Sequence, residues 1–352
     1  MSSRAIGYFL ARNGTFVGCI LLTTFFYYWN SNFLSLLNLR NIGEALSALG
    51  VVSIPLALLM IGGAVDLSVG SVASLSGVLA ATCMINTGSV ALGIVAGLAV
   101  GLASGLINGL LVSYYRFNSI VVTLGALSVW GGLALNLTGG RTVIGLPESF
   151  TDLGLIKLVG IPLDVFVLLA TILYGVIALE ILPYGRRLRA AGGSARAAFL
   201  MGVPVERVQC LMFIQVGLAA AVAGIMLASK LAAATPITGQ GMEINALTVV
   251  LLGGVAFTGG VGRISRVVAG LLFVGVLRNG LVFLNTSQFL QQILIGLTLI
   301  VAIIFDETIR KLGRGQWEEP VRASPPECPS SDNLRLIKRF EKAGSDSSGV
   351  GV

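Results

Sequence analysis

The stretch GGAVDLSVGS, residues 62–71, interrupts an apolar region that is long enough to cross a membrane. A bare carboxylate in hydrocarbon is costly, so Asp66 must be hydrogen-bonded, paired or exposed to water at this position. The neighbouring glycines allow the backbone to break, and Ser68, Gly70 and Ser71 after Asp66 are typical of the capped start of a new half-helix. We therefore predict a broken helical passage element in a membrane protein.

The composition defines the class of protein. Of 352 residues, 55% are hydrophobic and only 11% are charged, with a mean hydropathy of +0.91, whereas soluble domains carry roughly 25% charged residues. The chain is therefore predicted to be an all-α, polytopic membrane protein. The sequence has no histidine, and its four cysteines show no CxxC spacing. We accordingly expect no metal site, no disulfide framework and no enzymatic activity.

The apolar stretches give the number of spans, since about 20 residues cross a hydrocarbon core of roughly 30 Å. Ten stretches qualify, and glycine-rich turns alone separate the second from the third and the eighth from the ninth. We expect about ten transmembrane helices within residues 1–305, some of them short, broken or re-entrant. The predicted spans are 14–29, 45–64, 67–87, 89–113, 118–137, 162–182, 209–232, 244–261, 265–285 and 288–305.

Arginine and lysine in the short loops predict the orientation. The densest basic loop, 183–208, holds five arginines against one acid and should be cytoplasmic. Ten spans then place both termini in the cytoplasm and the loop 138–164 outside. The net charge of +7 is carried by residues 1–305, so we expect it to set topology and to face phospholipid, with no nucleic-acid partner.

The tail, residues 306–352, is rich in proline, serine and glycine and is predicted to be a largely disordered cytoplasmic extension. Within it, LRLIKRF at 334–340 has two interpretations, an amphipathic piece on the membrane or a partner, and a solvated helix without function.

A weak internal repeat occurs at a spacing of 171 residues, each copy within a pair of apolar spans. An inverted repeat, as many transporters use to alternate access, is one interpretation, and chance recurrence is the other. The recurring residues are Asn108, Gly109 and Gly125 in the first copy and Asn279, Gly280 and Gly296 in the second.

The loop YGRRLRAAGGSARAAFLMGVPVERV, residues 184–208, contains a predicted short helix. That helix should run from about Ser194 to Met201, with Gly202 ending it and Pro204 starting the next element. A short cytoplasmic helix of small residues is suited to insertion into a groove of a partner. The alternative is a basic anchor of the membrane topology, which explains the arginines but not the small residues.

These two motifs, together with GMEINALTVVLLGGVAFTGGVGR at 241–263 and LRNGLVFLNTSQFLQQILIGL at 277–297, resemble the permease subunits of bacterial ribose-type ABC importers. That family includes ribose, xylose, arabinose, galactose and autoinducer-2 permeases. The resemblance implies a permease that works as a dimer in the bacterial inner membrane and translocates a monosaccharide or similar small polyol. It also implies two further partners, a cytoplasmic ABC ATPase subunit and an extracytoplasmic sugar-binding protein.

The resemblance assigns roles to individual residues. Its interruption motif falls on Gly63, Asp66, Ser68, Gly70 and Ser71, and its late polar segment falls on Glu243 and Asn245. The helix that couples to the ATPase corresponds to Arg186, Gly192, Gly193, Ala195, Ala197, Ala198, Gly202 and Val203.

The fifth span offers a pathway face that follows from spacing. Ser119, Thr123 and Trp130 recur on one side of the predicted helix. The competing interpretation is an interfacial tryptophan with hydroxyls that pack helices. Gln288, Gln291 and Gln292 could serve a substrate entrance or bond across a dimer.

Two alternatives remain open at this stage. Asp66 either contacts substrate or organises the turn, and the second role is favoured.

The chain contains no GxxxxGK[ST] motif, so ATP and Mg²⁺ should bind to the partner ATPase and the chain itself should hold no cofactor. The alternative function is a secondary transporter or facilitator that works alone and uses intramembrane charges such as Asp66, Glu180, Glu243, Lys230 or Arg278.

Overall fold

The computed structural model describes residues 3–314, with side chains for residues 14–301 and 304. Residues up to Asp306 form one compact unit, and the described part of the second unit, 307–314, is helical. The helices are α1 Ser3–Trp29, α2 Leu36–Ile61, α3 Val69–Thr87, α4 Val90–Gly109, α5 Ser119–Thr138, α6 Glu148–Thr151, α7 Leu163–Val176, α8 Pro183–Gly193, α9 Ala195–Leu200, α10 Val205–Lys230, α11 Met242–Leu252, α12 Ile264–Phe283 and α13 Gln288–Arg314.

Short elements complete the chain. Two π-helical segments, Leu110–Tyr114 and Ile177–Ile181, extend α4 and α7, and two 3₁₀ turns lie at Ser31–Leu34 and Asp152–Gly154. In the loop between α5 and α7, β1 Lys157–Leu158 pairs antiparallel with β2 Ile161–Pro162. The all-α prediction is therefore confirmed, with a small hairpin confined to a loop.

Seven of the helices are long and apolar enough to cross a membrane, and three shorter apolar helical stretches, 14–29, 242–252 and 288–301, join them. These ten segments correspond to the ten predicted spans. Two expectations need correction. The helix after the interruption, α3, has 19 residues and is a full span, so the short element is α11. The predicted span 244–261 ends at Leu252, because Gly253 and Gly254 terminate the helix and Gly254 adopts φ +68°.

The tail predicted at 306–352 is helical over the part that the structure describes, because α13 continues past residue 305 to Arg314. The rest of the tail, including the stretch 334–340, lies outside the described residues.

Helix α2 forms the centre of the bundle. It packs against α7, α10, α11 and α12, and side chains on all sides of it, including Ile54, Leu56 and Leu59, are fully buried. A helix that is hydrophobic all round belongs in a protein interior rather than at a surface. Its sequence, which lacks an amphipathic pattern, therefore explains its central position.

The order of helices repeats, as the 171-residue spacing indicated. Helices α2 to α5 are followed later by α10 to α13, with α2 and α10 both 26 residues long and α4 and α12 both 20. The packing is exchanged between the copies: α10 lies against α3 and α4, and α2 lies against α11 and α12. The structure therefore supports the repeat over chance recurrence.

Glycine makes the contact between α4 and α10 close. A Cβ atom built on Gly101 or Gly105 of α4 would overlap the backbone of α10, and one on Gly217 of α10 would overlap the backbone of α4. Small residues that let backbones approach are the usual means of packing helices in membranes. The high glycine content thus serves helix packing in this half of the bundle.

Candidate functional site

The interruption predicted at 62–71 is a real break between α2 and α3. Helix α2 ends at Ile61 with Gly62 as its C-cap, Gly63 takes the left-handed conformation with φ +85°, and residues 64–68 lack helical structure until α3 begins at Val69. Glycine has no Cβ and adopts positive φ without steric cost. The glycines therefore allow the helix to break here, as the sequence predicted.

Asp66 is enclosed in a hydrogen-bonded network and only 2% exposed. Its Oδ1 accepts from the backbone N–H of Ser68 at 2.8 Å and from the Ser68 hydroxyl at 2.6 Å. Asn108 of α4 donates from Nδ2 to Asp66 Oδ2 at 3.3 Å and to Ser68 Oγ at 3.0 Å. The buried carboxyl group thus has partners, as its burial requires.

The capping prediction needs one correction. Ser68 is the residue that precedes α3, and its side chain makes no capping bond to the helix. Asp66 instead bonds to Ser68 itself, so the carboxylate closes the turn before the helix rather than the first turn of the helix. Asn108, which sequence reasoning had noted only as part of the repeat, completes the network.

Helix α5 contributes its first residue to the break. The hydroxyl oxygen of Ser119 accepts from the backbone N–H of Val65 at 3.4 Å, and fully buried Thr123 donates to the Ser119 carbonyl at 2.8 Å. Trp130 is half-buried against the hydrophobic core. Ser119 thus meets the break directly, while Thr123 and Trp130 line neither of the two cavities described below.

A second break, residues 231–241 between α10 and α11, meets the first. Gly70 packs directly against the backbone of Gly239 and the carboxylate of Glu243. The Ser74 hydroxyl oxygen accepts from the Gly239 N–H at 2.9 Å, and Glu243 accepts from the Gly241 N–H at 3.2 Å. The two predicted polar segments, 62–71 and 243–245, are therefore neighbours in space.

Two cavities flank this meeting point. The smaller, about 190 Å³, is lined by side chains that include Ser71, Ser74 and Glu243. The larger, about 440 Å³, lies between α11, α12 and the start of α13 and is lined by Asn245 together with the three glutamines noted in the sequence. Gln240 lines both cavities. Of the predicted pathway residues, Ser71, Glu243 and Asn245 thus line these two adjoining cavities.

The basic loop folds as two helices rather than one. The predicted short helix is α9, where Ser194 Oγ accepts from the Ala197 N–H at 3.3 Å and Gly202 follows with φ +79°. Helix α8 was not predicted. Tyr184 on α8 donates to the Val208 carbonyl at 3.3 Å, and burial raises the pKa of this phenol, so it remains a neutral donor that holds α8 against α10.

The residues assigned to ATPase coupling lie on both of these helices and the turn after them. Ala198 is buried, Gly192 and Val203 are half-buried, and the others, Arg186, Gly193, Ala195, Ala197 and Gly202, are exposed. Beside them, Phe199, Leu200 and Met201 are 61%, 77% and 84% exposed. The α9 end therefore presents exposed apolar side chains on a basic loop, a combination typical of interaction surfaces.

Helix α8 touches the break through glycines. Gly63, Gly192, Gly259 and Gly260 lie so close that a Cβ built on Gly259 would be 2.8 Å from Gly63 Cα and 2.9 Å from the Gly192 oxygen. We call these four residues the glycine junction. The Gly260 N–H also donates to the carbonyl of Ile61, the last residue of α2, at 2.8 Å. The basic loop, the first break and the turn after α11 thus meet at one point.

The described residues contain no group of three histidine, cysteine, aspartate or glutamate side chains that could hold a metal ion.

Comparison with known proteins adds to this geometry. The family model described as branched-chain amino acid transport system / permease component matches residues 38–303. The L-arabinose transport system permease protein AraH of Escherichia coli K12 is 37% identical over 80% of this chain and 86% of its own length. The ribose import permease protein RbsC of Bacillus subtilis is 33% identical over 84% and 93%. The D-allose transport system permease protein AlsC of Escherichia coli K12 is 30% identical over 70% and 76%.

No solved structure matches the chain.

Proposed function

The chain belongs to the branched-chain amino acid transport system / permease component family, and on that premise we propose that it is the transmembrane permease subunit of an ABC importer for a monosaccharide or similar small polyol. It is a multi-pass membrane protein, with seven helices of spanning length in the part of the chain that the structure describes. Relatives named as arabinose, ribose and allose permeases cover most of its length. The names of these relatives support a sugar as the solute that the chain transports.

The observation that carries the proposal is the glycine junction between α8 and the break. An importer permease must convert motion of a cytoplasmic partner into movement of the solute path. Helix α8 contacts Gly63 through Gly192 with no side chain between the two backbones. Asp66 lies three residues after Gly63, and Ser119 bonds to Val65 of the same break. A displacement of α8 is therefore transmitted to the break because close-packed interiors respond by discrete shifts rather than by compression.

The exposed surface of α9 is the proposed site of the ATPase subunit. Its small and apolar side chains suit insertion into a cleft, and the flanking arginines suit acidic side chains around that cleft. ATP and Mg²⁺ would bind on that subunit, since this sequence has no phosphate-binding loop of the GxxxxGK[ST] type. The chain would then act without catalysing hydrolysis itself.

The remaining assignments follow from the same proposal. We place the chain in a bacterial inner membrane with both termini and the loop 183–208 in the cytoplasm, on the basis of the arginine distribution. A second permease copy or a related chain would complete the path, and a sugar-binding protein would deliver the solute from outside.

The test is co-purification with a candidate ATPase subunit from the same cell. We expect the wild-type chain to retain the ATPase through membrane extraction and the Leu200→Asp variant to lose most of it, because the new carboxylate would be buried in an apolar contact. Val159→Asp, in the hairpin of the 138–164 loop, is the matched control and should retain the ATPase. Purified chain alone that supports gradient-driven flux would instead favour the secondary transporter.

A further inference from the structure

The larger cavity has an unusual balance of polar groups. Its volume of about 440 Å³ lies within the range of small-molecule sites, roughly 300–1,000 Å³. Among the described residues that line it, one side chain is ionisable, and that side chain is an arginine. The polar lining consists of Arg278 with the amides of Gln240, Asn245, Gln288, Gln291 and Gln292.

Arg278 has no ionic partner among the residues that the structure describes. The ion pairs within the described residues join Arg116 to Glu206 and Lys230 to Glu44, and neither involves Arg278. Its side chain is half-buried on α12. Partial removal of a guanidinium group from water costs free energy when no counter-ion is present. A bound anion would offset that cost.

The amides around Arg278 indicate what else the ligand carries. Each glutamine or asparagine side chain offers two N–H donors and a carbonyl acceptor. A ligand with several hydroxyl groups can both donate to and accept from such groups, whereas a bare inorganic anion uses only the donors. The lining therefore fits a ligand that is polyhydroxylated along its length and negatively charged at one end.

We propose that the larger cavity binds a sugar acid, with the ligand carboxylate on the Arg278 guanidinium and its hydroxyl groups on the surrounding amides. Arginine pairs with carboxylates through two parallel hydrogen bonds, so the geometry is specific as well as charged. This inference rests on the proposed transport function and narrows its solute class from monosaccharides to their acidic derivatives.

The smaller cavity differs from the larger one in its ionisable side chain. It shares Gln240 with the larger cavity but is lined by the carboxylate of Glu243 rather than by a cation. An anionic solute is therefore favoured on the Arg278 side of Gln240, because the Glu243 side offers it no cation. A solute that is held by a cation on one side of Gln240 alone is held loosely, which suits a permease because it must release its solute.

The experiment compares an acid with neutral ligands of the same carbon skeleton. The purified full-length chain in lipid nanodiscs is titrated with D-gluconate, D-gluconamide and D-glucitol, and binding is followed by saturation-transfer NMR. We expect gluconate to bind about tenfold more tightly than either neutral ligand, which is the size of one charge-assisted hydrogen bond. Equal affinity for the three ligands in the wild-type chain would overturn the proposal without any variant.

Substitution of the arginine assigns the effect to this cavity. Arg278→Gln should weaken gluconate binding about tenfold and leave glucitol binding unchanged. Arg263→Gln is the matched control, since Arg263 precedes the opposite end of the same helix and does not line the cavity. Gluconate binding that is the same in Arg278→Gln, Arg263→Gln and wild type would contradict the site.

The sugar-acid site and the importer function are tested by different results. Loss of acid preference, with ATPase co-purification intact, removes the sugar acid and leaves the importer. Failure of co-purification, with the gluconate preference intact, leaves a sugar-acid site in a protein that is not an ABC permease.

Discussion

Replacement of Gly192 by alanine tests the coupling between α8 and the break. The added Cβ would overlap the Ile61 carbonyl and lie 2.6 Å from the Gly260 nitrogen, against about 3.4 Å for an ordinary contact. Helix α8 must therefore move by about 0.8 Å at that contact alone, and the atoms in its way are backbone atoms that cannot rotate aside. Overpacking of this kind costs roughly 1–3 kcal/mol.

The matched control is Gly132 of α5, which lies outside both the glycine junction and the basic loop. A Cβ on Gly132 would meet nothing within 4 Å, and Gly132 is not among the glycines with positive φ. Both variants replace a helical glycine by alanine, so a difference in uptake between them reports the contact at the junction and not the loss of a glycine.

The assay is sugar uptake coupled to ATP hydrolysis in proteoliposomes that contain the ATPase subunit. A cost of roughly 1–3 kcal/mol corresponds to about 5- to 150-fold in an equilibrium. We expect Gly192→Ala to reduce uptake per ATP at least about fivefold at equal protein content, and Gly132→Ala to behave as wild type. Equal uptake by the two variants would refute the idea that the junction transmits motion.

Three further changes probe the rest of the framework. Asp66→Ala removes the acceptor of the Ser68 N–H and hydroxyl and of an Asn108 amide. It should lower stability by about 1–3 kcal/mol for each buried donor left unpaired and abolish uptake. Full abundance with full uptake would show that the network has no role. Lys230→Met breaks the 2.9 Å pair with Glu44 and should cost about 1 kcal/mol, with the deficit falling at high salt in thermal unfolding; a salt-independent deficit argues against the ion pair. Gly105→Ala should destabilise the α4–α10 contact by about 1–3 kcal/mol, whereas Gly125→Ala, with open space around it, should stabilise by about 0.5–1 kcal/mol; similar melting temperatures for these two variants would contradict the packing described.

Most of the helices could be predicted from sequence because membrane spans are encoded locally. The apolar runs located α3, α5 and α12 within one or two residues. The end of α11 was missed because residues 253–261 hold no charged residue and so continue the apolar run, whereas Gly254, Gly259 and Gly260 adopt positive φ and turn the chain there. Apolar composition alone does not reveal such a turn within a predicted span.

The candidate site was predictable only in part. The sequence identified Asp66 as a group that needs partners, but its main side-chain partner, Asn108, is 42 residues away. The glycine junction joins residues from three distant segments and carries no sequence pattern of its own. Helix α8 was missed because its arginines and glycines indicate a loop, while buried Leu188 supplies the contact that holds it.

The most direct measurement of the central claim is solute uptake by proteoliposomes that contain this chain, loaded internally with Mg²⁺–ATP. Vesicles that also contain the ATPase subunit, with the binding protein outside, should accumulate sugar against its gradient, and accumulation should cease when a non-hydrolysable ATP analogue replaces ATP. Accumulation that continues without the ATPase subunit and follows an ion gradient would contradict the account.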